Sequence, residues 1–519
     1  MRLNDMKRSI QISVQQLIRQ VDWGLLCFLI LILDVKLIIK ILAVILAFFL
    51  HRKPTASWKI LTKGWTRFYG AMILLASLNL LLHFPSGHSA PALLSFALGC
   101  TYWLLSIAAA WHIMLFVREG DRNRLHQTVE LFFLLHIVCM MVSFLVVCIR
   151  SGSFNPYSYQ GQHQKYFINT GDFITGISFD GSVTAAIISA FGLLYFLYRG
   201  KRFMSLLCMV TMLMAGSNFV NLLLGVVLVF VFIFHTDKLQ KSMILVYVLM
   251  LILFLGKISP QNKDYLAQLA RKMGHDETLA KTEIAIAYPG GHKAYPDDKK
   301  DYSGIKTKQP MIGWREEDFM PGKEMINREY ELTHLKDSIY SAEVQDSLNR
   351  KYIGMGRPGR IIAWQEMSDF FREHPASLLS GAGMGNFSSR LAYKTTALNI
   401  GGMFPVSMRY IHPYFRDRYL YLYLYYYTRD QRGHSIVNRP DSVYGQLLGE
   451  YGLAGLLIFG LFYAGYFLRG VRSLSYGLPL VILLFTAFFT EYWLEQLSIV
   501  VLFELLLLLD RPTLNTQNY

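Results

Sequence analysis

The stretch Met243-Ile-Leu-Val-Tyr-Val-Leu-Met-Leu-Ile-Leu-Phe-Leu255 contains no charged residue. A helix built from it has no polar face, so it must be surrounded by apolar atoms on every side. With its flanks it approaches the length that crosses a hydrocarbon core about 30 Å thick. Val21–Leu33, whose one charge is Asp22, and Leu74–Phe84 are nearly free of charge and also read as membrane helices. Of the 519 residues 53% are hydrophobic, more than a soluble chain of this size carries. The runs predict helices at roughly 21–34, 36–50, 65–84, 91–117, 127–149, 182–198, 203–216, 218–235, 242–257, 442–468, 477–490 and 493–509. The fold class expected is therefore an all-α polytopic membrane protein of about twelve transmembrane helices. The first two are short enough to form a hairpin.

Charge orients this array. The net charge of +15 would point to nucleic acid if it lay on one soluble domain. Much of it instead falls in alternate short loops: Arg52, Lys53, Lys59, Lys63 and Arg67; then Arg118, Arg122 and Arg124; then Arg199, Lys201 and Arg202; then Lys238 and Lys241; then Arg469 and Arg472. The intervening loops are nearly free of it. Phe84–Pro91 and Ala215–Asn218 have no Lys or Arg, and Thr490–Gln496 carries only Glu491 and Glu495 as charged residues. Positive residues stay on the cytoplasmic side, so both termini are expected there. The basic stretch Arg2–Arg19 runs into Val21–Leu33 without a small-residue cleavage site, and that first helix reads as a retained anchor. Cys27, Cys100, Cys139, Cys148 and Cys208 lie in or beside apolar runs and form no disulfide or zinc pattern.

Three regions follow: N-terminal membrane helices over 1–257, a large loop region over 258–441, and C-terminal membrane helices with a short cytoplasmic tail over 442–519. The loop is far longer than ordinary connections, and it is expected to be mainly helical and to lie opposite the cytoplasm. Within it Arg360–His374 has amphipathic periodicity, with Ile361, Trp364, Met367, Phe370 and Phe371 on one side. Four further features stand near the membrane. Arg360 opens that helix. Gly381-Ala-Gly-Met-Gly-Asn-Phe387 is a glycine turn without the Gly-Lys-Ser/Thr ending of a nucleotide-binding phosphate loop. The tyrosine run Tyr419–Tyr427 is flanked by Arg409, His412, Arg416 and Arg418, and suits either an interfacial belt or stacking on sugars. Last come His434, then Arg439-Pro-Asp441-Ser442, then Gln446-Leu-Leu-Gly-Glu450-Tyr-Gly452-Leu-Ala-Gly455. An ionisable group such as Glu450 inside a membrane helix is costly, and so reads as functional unless a partner such as Arg439 makes it structural.

The order and spacing of Arg360–Trp364, His374-Pro375 with Gly381–Phe387, and Asp441–Gly455 resemble the bacterial O-antigen ligase and O-antigen polymerase family. Gly176-Ile-Ser-Phe-Asp180-Gly-Ser-Val-Thr-Ala185 is similar to that family's turn before its middle helices. The likeness covers roughly 130–510 in layout. Asp441 stands where the family usually has a histidine, and the arginines common near Thr175 and at Asn218 are absent from those positions. The resemblance implies a multi-pass protein of the bacterial inner membrane with a periplasmic catalytic loop. It implies transfer of a glycan from a polyprenyl-diphosphate carrier to an acceptor hydroxyl, with no nucleotide or required metal. The acceptor is left open among lipid A–core (ligase), a second lipid-linked glycan (polymerase) and a protein (O-oligosaccharyltransferase). In that scheme Arg360 holds the diphosphate, His434 is the base, and Asp441 orients or replaces it. Arg150, Arg416, Arg418, Arg439, Glu450 and Tyr423 line the substrate path. The partners are the lipid-linked donor, one of these acceptors and the bilayer. A lipid-linked glycan transporter or flippase is the reading from another class, although no inverted repeat is visible.

Overall fold

The computed structural model describes residues 20–50, 64–83, 89–152, 154–158, 174–234, 236–258, 358–398, 404–428 and 438–511. Every regular element among them is helical. In chain order the main ones are α1 (Trp23–Ile32), α2 (Leu37–Leu50), α3 (Thr66–His83), α4 (Ala90–Glu119), α5 (Arg122–Ser151), α6 (Ser182–Tyr198), α7 (Arg202–Met214), α8 (Asn218–Phe234) and α9 (Lys238–Leu253). Then follow α10 (Gly359–Glu373), α11 (Arg390–Lys394), α12 (Tyr421–Thr428), α13 (Val443–Ile458), α14 (Gly477–Ala487) and α15 (Leu497–Asp510). A helix stands at each of the twelve positions that the apolar runs predict.

Four stretches are long and apolar enough to cross a membrane: Ala90–Glu119, Arg122–Arg150, Lys238–Ile258 and Val443–Leu468. At 1.5 Å per residue, a span of 30 residues such as the first is about 45 Å long. The other apolar helices are shorter. α1 and α2 pack together, and Lys40 of α2, itself buried, donates to the carbonyl of Ile32 at 2.8 Å. That bond satisfies one of the carbonyls that the end of α1 leaves without an intrahelical partner.

Burial separates centre from periphery. α6 is buried from Thr184 to Leu197, and α15 along nearly its whole length, so apolar residues on all faces of these helices meet protein. α9 instead leaves Leu245, Val246, Leu249, Ile252 and Leu253 exposed, the surface that a lipid-facing helix presents. α10 confirms its predicted amphipathicity with a shifted face: Ala363, Met367 and Phe370 are buried, whereas Ile361 is exposed. Ile361 lies two residues from Ala363, about 200° around the helix, and so cannot share its contact.

The glycine turn and α13 interlock. The amides of Ala382 and Gly383 donate to the carbonyls of Gly449 and Glu450, at 2.9 and 3.0 Å. Gly452, with φ of 66°, bends α13 at this contact, and a Cβ there would stand 2.4 Å from the carbonyl oxygen of Leu379. Beneath the turn the Glu450 carboxylate accepts the amides of Gly385 (2.9 Å) and Phe387 (3.5 Å). Asn79 of α3 donates to the carbonyl of Ser380 at 2.8 Å. Membrane helices and loop are thus joined by backbone hydrogen bonds that only glycine lets form at this distance.

Candidate functional site

A cavity of about 180 Å³ opens where α6, α13 and α15 begin and α14 ends. Asp180, Gly181 and Thr184 form one side, with Asp180 turned back onto its own helix: its carboxylate accepts from Gly181 N (2.8 Å) and Thr184 Oγ1 (3.1 Å). The turn Glu491–Gln496 forms another side, with Trp493 in the wall. Its position is set by Ser442 and Val443, which donate to the carbonyl of Phe488 at 3.2 and 2.8 Å. α11 contributes Arg390 and Tyr393, and α12 contributes Tyr423, whose ring stacks on Tyr393 at 4.5 Å between centroids.

A continuous polar chain runs along this wall. Ser388 Oγ lies 3.0 Å from the Tyr492 hydroxyl, which lies 2.6 Å from that of Tyr423. Tyr423 donates to Asp441 Oδ1 at 2.6 Å, and Arg439 pairs with Asp441 Oδ2 at 2.6 Å and with Glu491 Oε1 at 2.5 Å. Asp441 and Glu491 are almost fully buried, so the ion pairs offset a desolvation cost that bare carboxylates would carry alone. Burial and the Asp441 charge hold the phenols of Tyr423 and Tyr492 far above their ordinary range, and both remain protonated donors. Burial also raises the carboxyl of Glu491, with Arg439 pulling it back, and raises that of Glu495 to about 8.

Of the residues predicted for the site, Asp441, Arg439 and Tyr423 meet here. Arg360 stands directly behind them, donating to the carbonyls of Arg439 (3.3 Å) and Thr490 (3.1 Å). Its surroundings are desolvated enough to lower its pKa, against the pull of Asp441 and Glu491. It joins the two segments that carry Arg439 and Glu491 but is not in the cavity wall. Glu450 is buried under the glycine turn and does not line the cavity. Arg418 pairs with Glu366 at 3.4 Å and with Glu373, and Arg416 pairs with neighbouring Asp417 at 2.6 Å. Arg150 is exposed in the last turn of α5. His434 lies outside the described residues. Tyr419 and Tyr421 are buried, donating to the Ala363 carbonyl (2.9 Å) and to Glu366 (2.7 Å), so these two pack the loop instead of facing a bilayer.

Two charged residues of the cavity escape the sequence reading as site candidates. Arg390 follows the glycine turn without any local signal, and its guanidinium has no hydrogen-bond or ion-pair partner among the described residues. Glu491 does carry a signal: Thr490–Gln496 interrupts two apolar helices with two carboxylates and no cation. Among the described residues no group of His, Cys, Asp and Glu has the arrangement of a metal site. The chain matches no protein-family model, no curated protein and no solved structure.

Proposed function

We propose that this chain is a twelve-helix inner-membrane enzyme that transfers a glycan from a polyprenyl-diphosphate carrier to an acceptor hydroxyl at the periplasmic face, in the manner of an O-antigen ligase. One observation carries the reading. A cavity walled by Tyr393, Tyr423, Tyr492 and Trp493 holds Arg390, whose guanidinium makes no hydrogen bond or ion pair among the described residues, while its charge acts on the buried Glu491 and Glu495. Aromatic rings present flat apolar surface to sugar rings, and guanidinium matches phosphate oxygens in a fixed fork. Charge develops on the leaving diphosphate as the anomeric bond breaks, and a prearranged cation in a partly dry site stabilises it. Arg390 is the residue in position to do so, with Arg439 held beside it by Asp441 and Glu491. The cavity lies at the helix ends opposite Arg199, Lys201, Arg202, Arg469 and Arg472, which the positive-inside rule puts in the cytoplasm. Apolar helices would hold the polyprenyl chain.

The test is reconstitution. Purified protein in lipid nanodiscs is given a polyprenyl-diphosphate-linked oligosaccharide with lipid A–core, a second lipid-linked oligosaccharide, or a serine-containing peptide. Expected is release of polyprenyl diphosphate together with one glycan conjugate, and the productive acceptor separates ligase from polymerase and O-oligosaccharyltransferase. Glu504 favours the transporter reading: it lies inside α15, buried in the bundle, accepting from Tyr69 at 2.5 Å. Movement of the lipid-linked oligosaccharide across proteoliposomes without any conjugate would establish that alternative.

A further inference from the structure

We infer that Glu491 is the general base that removes the proton from the acceptor hydroxyl, an assignment that rests on the glycosyl-transfer reading. Three observations support it. Glu491 lines the cavity with its side chain 7% exposed, and one oxygen, Oε1, is held by Arg439. The other oxygen, Oε2, has no partner among the described residues. Asp441, the alternative carboxylate, accepts from Tyr423 at Oδ1 and is ion-paired with Arg439 at Oδ2, so each of its oxygens already faces a neighbour.

The surroundings fix Glu491 in place. Arg439 bridges Asp441 and Glu491, and Arg360 grips the carbonyls of Arg439 and of Thr490, the residue before Glu491. A base held by neighbours whose own positions are locked keeps the geometry that proton transfer requires. Arg390 stands in the same cavity, so donor phosphate and acceptor hydroxyl have separate charged residues to bind. In the step, the acceptor oxygen bonds to the anomeric carbon while the bond from that carbon to the diphosphate oxygen breaks. The bonding pair leaves with polyprenyl diphosphate. The acceptor proton passes to Glu491 Oε2 and from there to water.

The charged and titratable groups around Glu491 are Arg439 and Asp441 before α13, Arg390 of α11, Arg360 of α10 and neighbouring Tyr492. Burial raises the Glu491 carboxyl, which brings its proton affinity closer to what a base at neutral pH needs. The rate should therefore fall on the acid side as Glu491 becomes protonated.

The experiment uses the reconstituted protein with polyprenyl-diphosphate-linked oligosaccharide and its productive acceptor, comparing wild type, Glu491→Gln and Glu491→Asp. Glu491→Gln retains an oxygen for Arg439. It should bind donor lipid normally, transfer on the order of 100-fold or more slowly, and lose the acid limb of the pH–rate profile. Glu491→Asp should transfer slowly with its limb displaced to lower pH. If Glu491→Gln does not fold, the wild-type profile and the aspartate variant decide. A flat wild-type profile from about pH 5 to 8 overturns the assignment, because a base must titrate. So does an acid limb that persists in Glu491→Gln and vanishes in His434→Ala. Wild-type protein that transfers to no acceptor refutes the transfer reading itself, a result distinct from either of these.

Discussion

Arg360 shows how a residue away from the cavity wall can control it. Its guanidinium spans two backbone carbonyls on separate segments, those of Arg439 and Thr490. Both bonds leave the single nitrogen Nη2, and a lysine ammonium, a point donor on a shorter and flexible stem, is not held in that place by a planar guanidinium. Arg360→Lys should therefore lower the proposed glycosyl transfer strongly while the protein remains folded, with the melting temperature as the check on folding. Turnover near the wild-type level would show that the bridge is dispensable. Glu495 makes a stability prediction. It accepts from Arg390 N and from Gln446, both at 2.8 Å, and burial raises its carboxyl to about 8. The unfolded chain releases that proton near the ordinary carboxylate value of about 4.3. The fold thus prefers the protonated form, so this contribution is fully present below the unfolded value and is lost as pH rises through about 8. Wild type should melt at lower temperature at alkaline pH, and Glu495→Gln should flatten that dependence.

Among the elements, the clasp between the glycine turn and α13 makes the loop part of the membrane domain. Gly381 has φ of 75°, and a Cβ on it would stand 2.2 Å from the Glu450 carbonyl carbon. Gly470 has φ of 72° but would meet only Ser473 Oγ, at 3.4 Å. Alanine at positive φ costs about 1–2 kcal/mol in backbone strain alone. Gly470→Ala should show that loss and no more, whereas Gly381→Ala should add the cost of prising the turn off α13. Thermal unfolding of the two variants in one detergent measures the difference. Equal losses would mean that the clasp yields without cost. Glu450 belongs to the same device, since its carboxylate accepts amides of the turn that it underlies.

For the whole molecule, the testable property is sidedness. The cavity, the clasp and the described part of the loop gather at one end of the helices, and Arg199, Lys201, Arg469 and Arg472 lie toward the other. In a cysteine-free background, a cysteine at Ser303 should react with an impermeant maleimide in intact cells, and one at Ser473 only after permeabilisation. Labelling of Ser473→Cys in intact cells would invert the topology and overturn the proposal that the cavity works at the periplasmic face.

The helices were legible because apolar run length and charge alternation are local properties. Backbone groups in lipid must bond within their own segment, so each run that reads as a helix forms one regardless of its neighbours. The amphipathic α10 was legible for the same reason, and Ile361 fell outside its buried face because the partner that chooses the face comes from elsewhere in the chain. The site was legible only in part. Arg439, Asp441 and Tyr423 stand near recognisable sequence landmarks. Arg390 carries no local signal and Glu491 only that of a carboxylate in a short loop between apolar helices, and they stand 101 positions apart in sequence although both line one cavity. Glu450 is conspicuous in sequence because a charge in an apolar setting is costly, and Arg360 because it opens an amphipathic helix, but the tertiary structure gives them inward partners: amides of the glycine turn for Glu450 and two carbonyls for Arg360. Sequence by itself determined which segments are helical and which charges are costly. Only the packing of α6, α11, α13 and α15 decided which of those charges face a shared space and which are consumed holding it open, because pairing depends on distances between segments that no local pattern encodes.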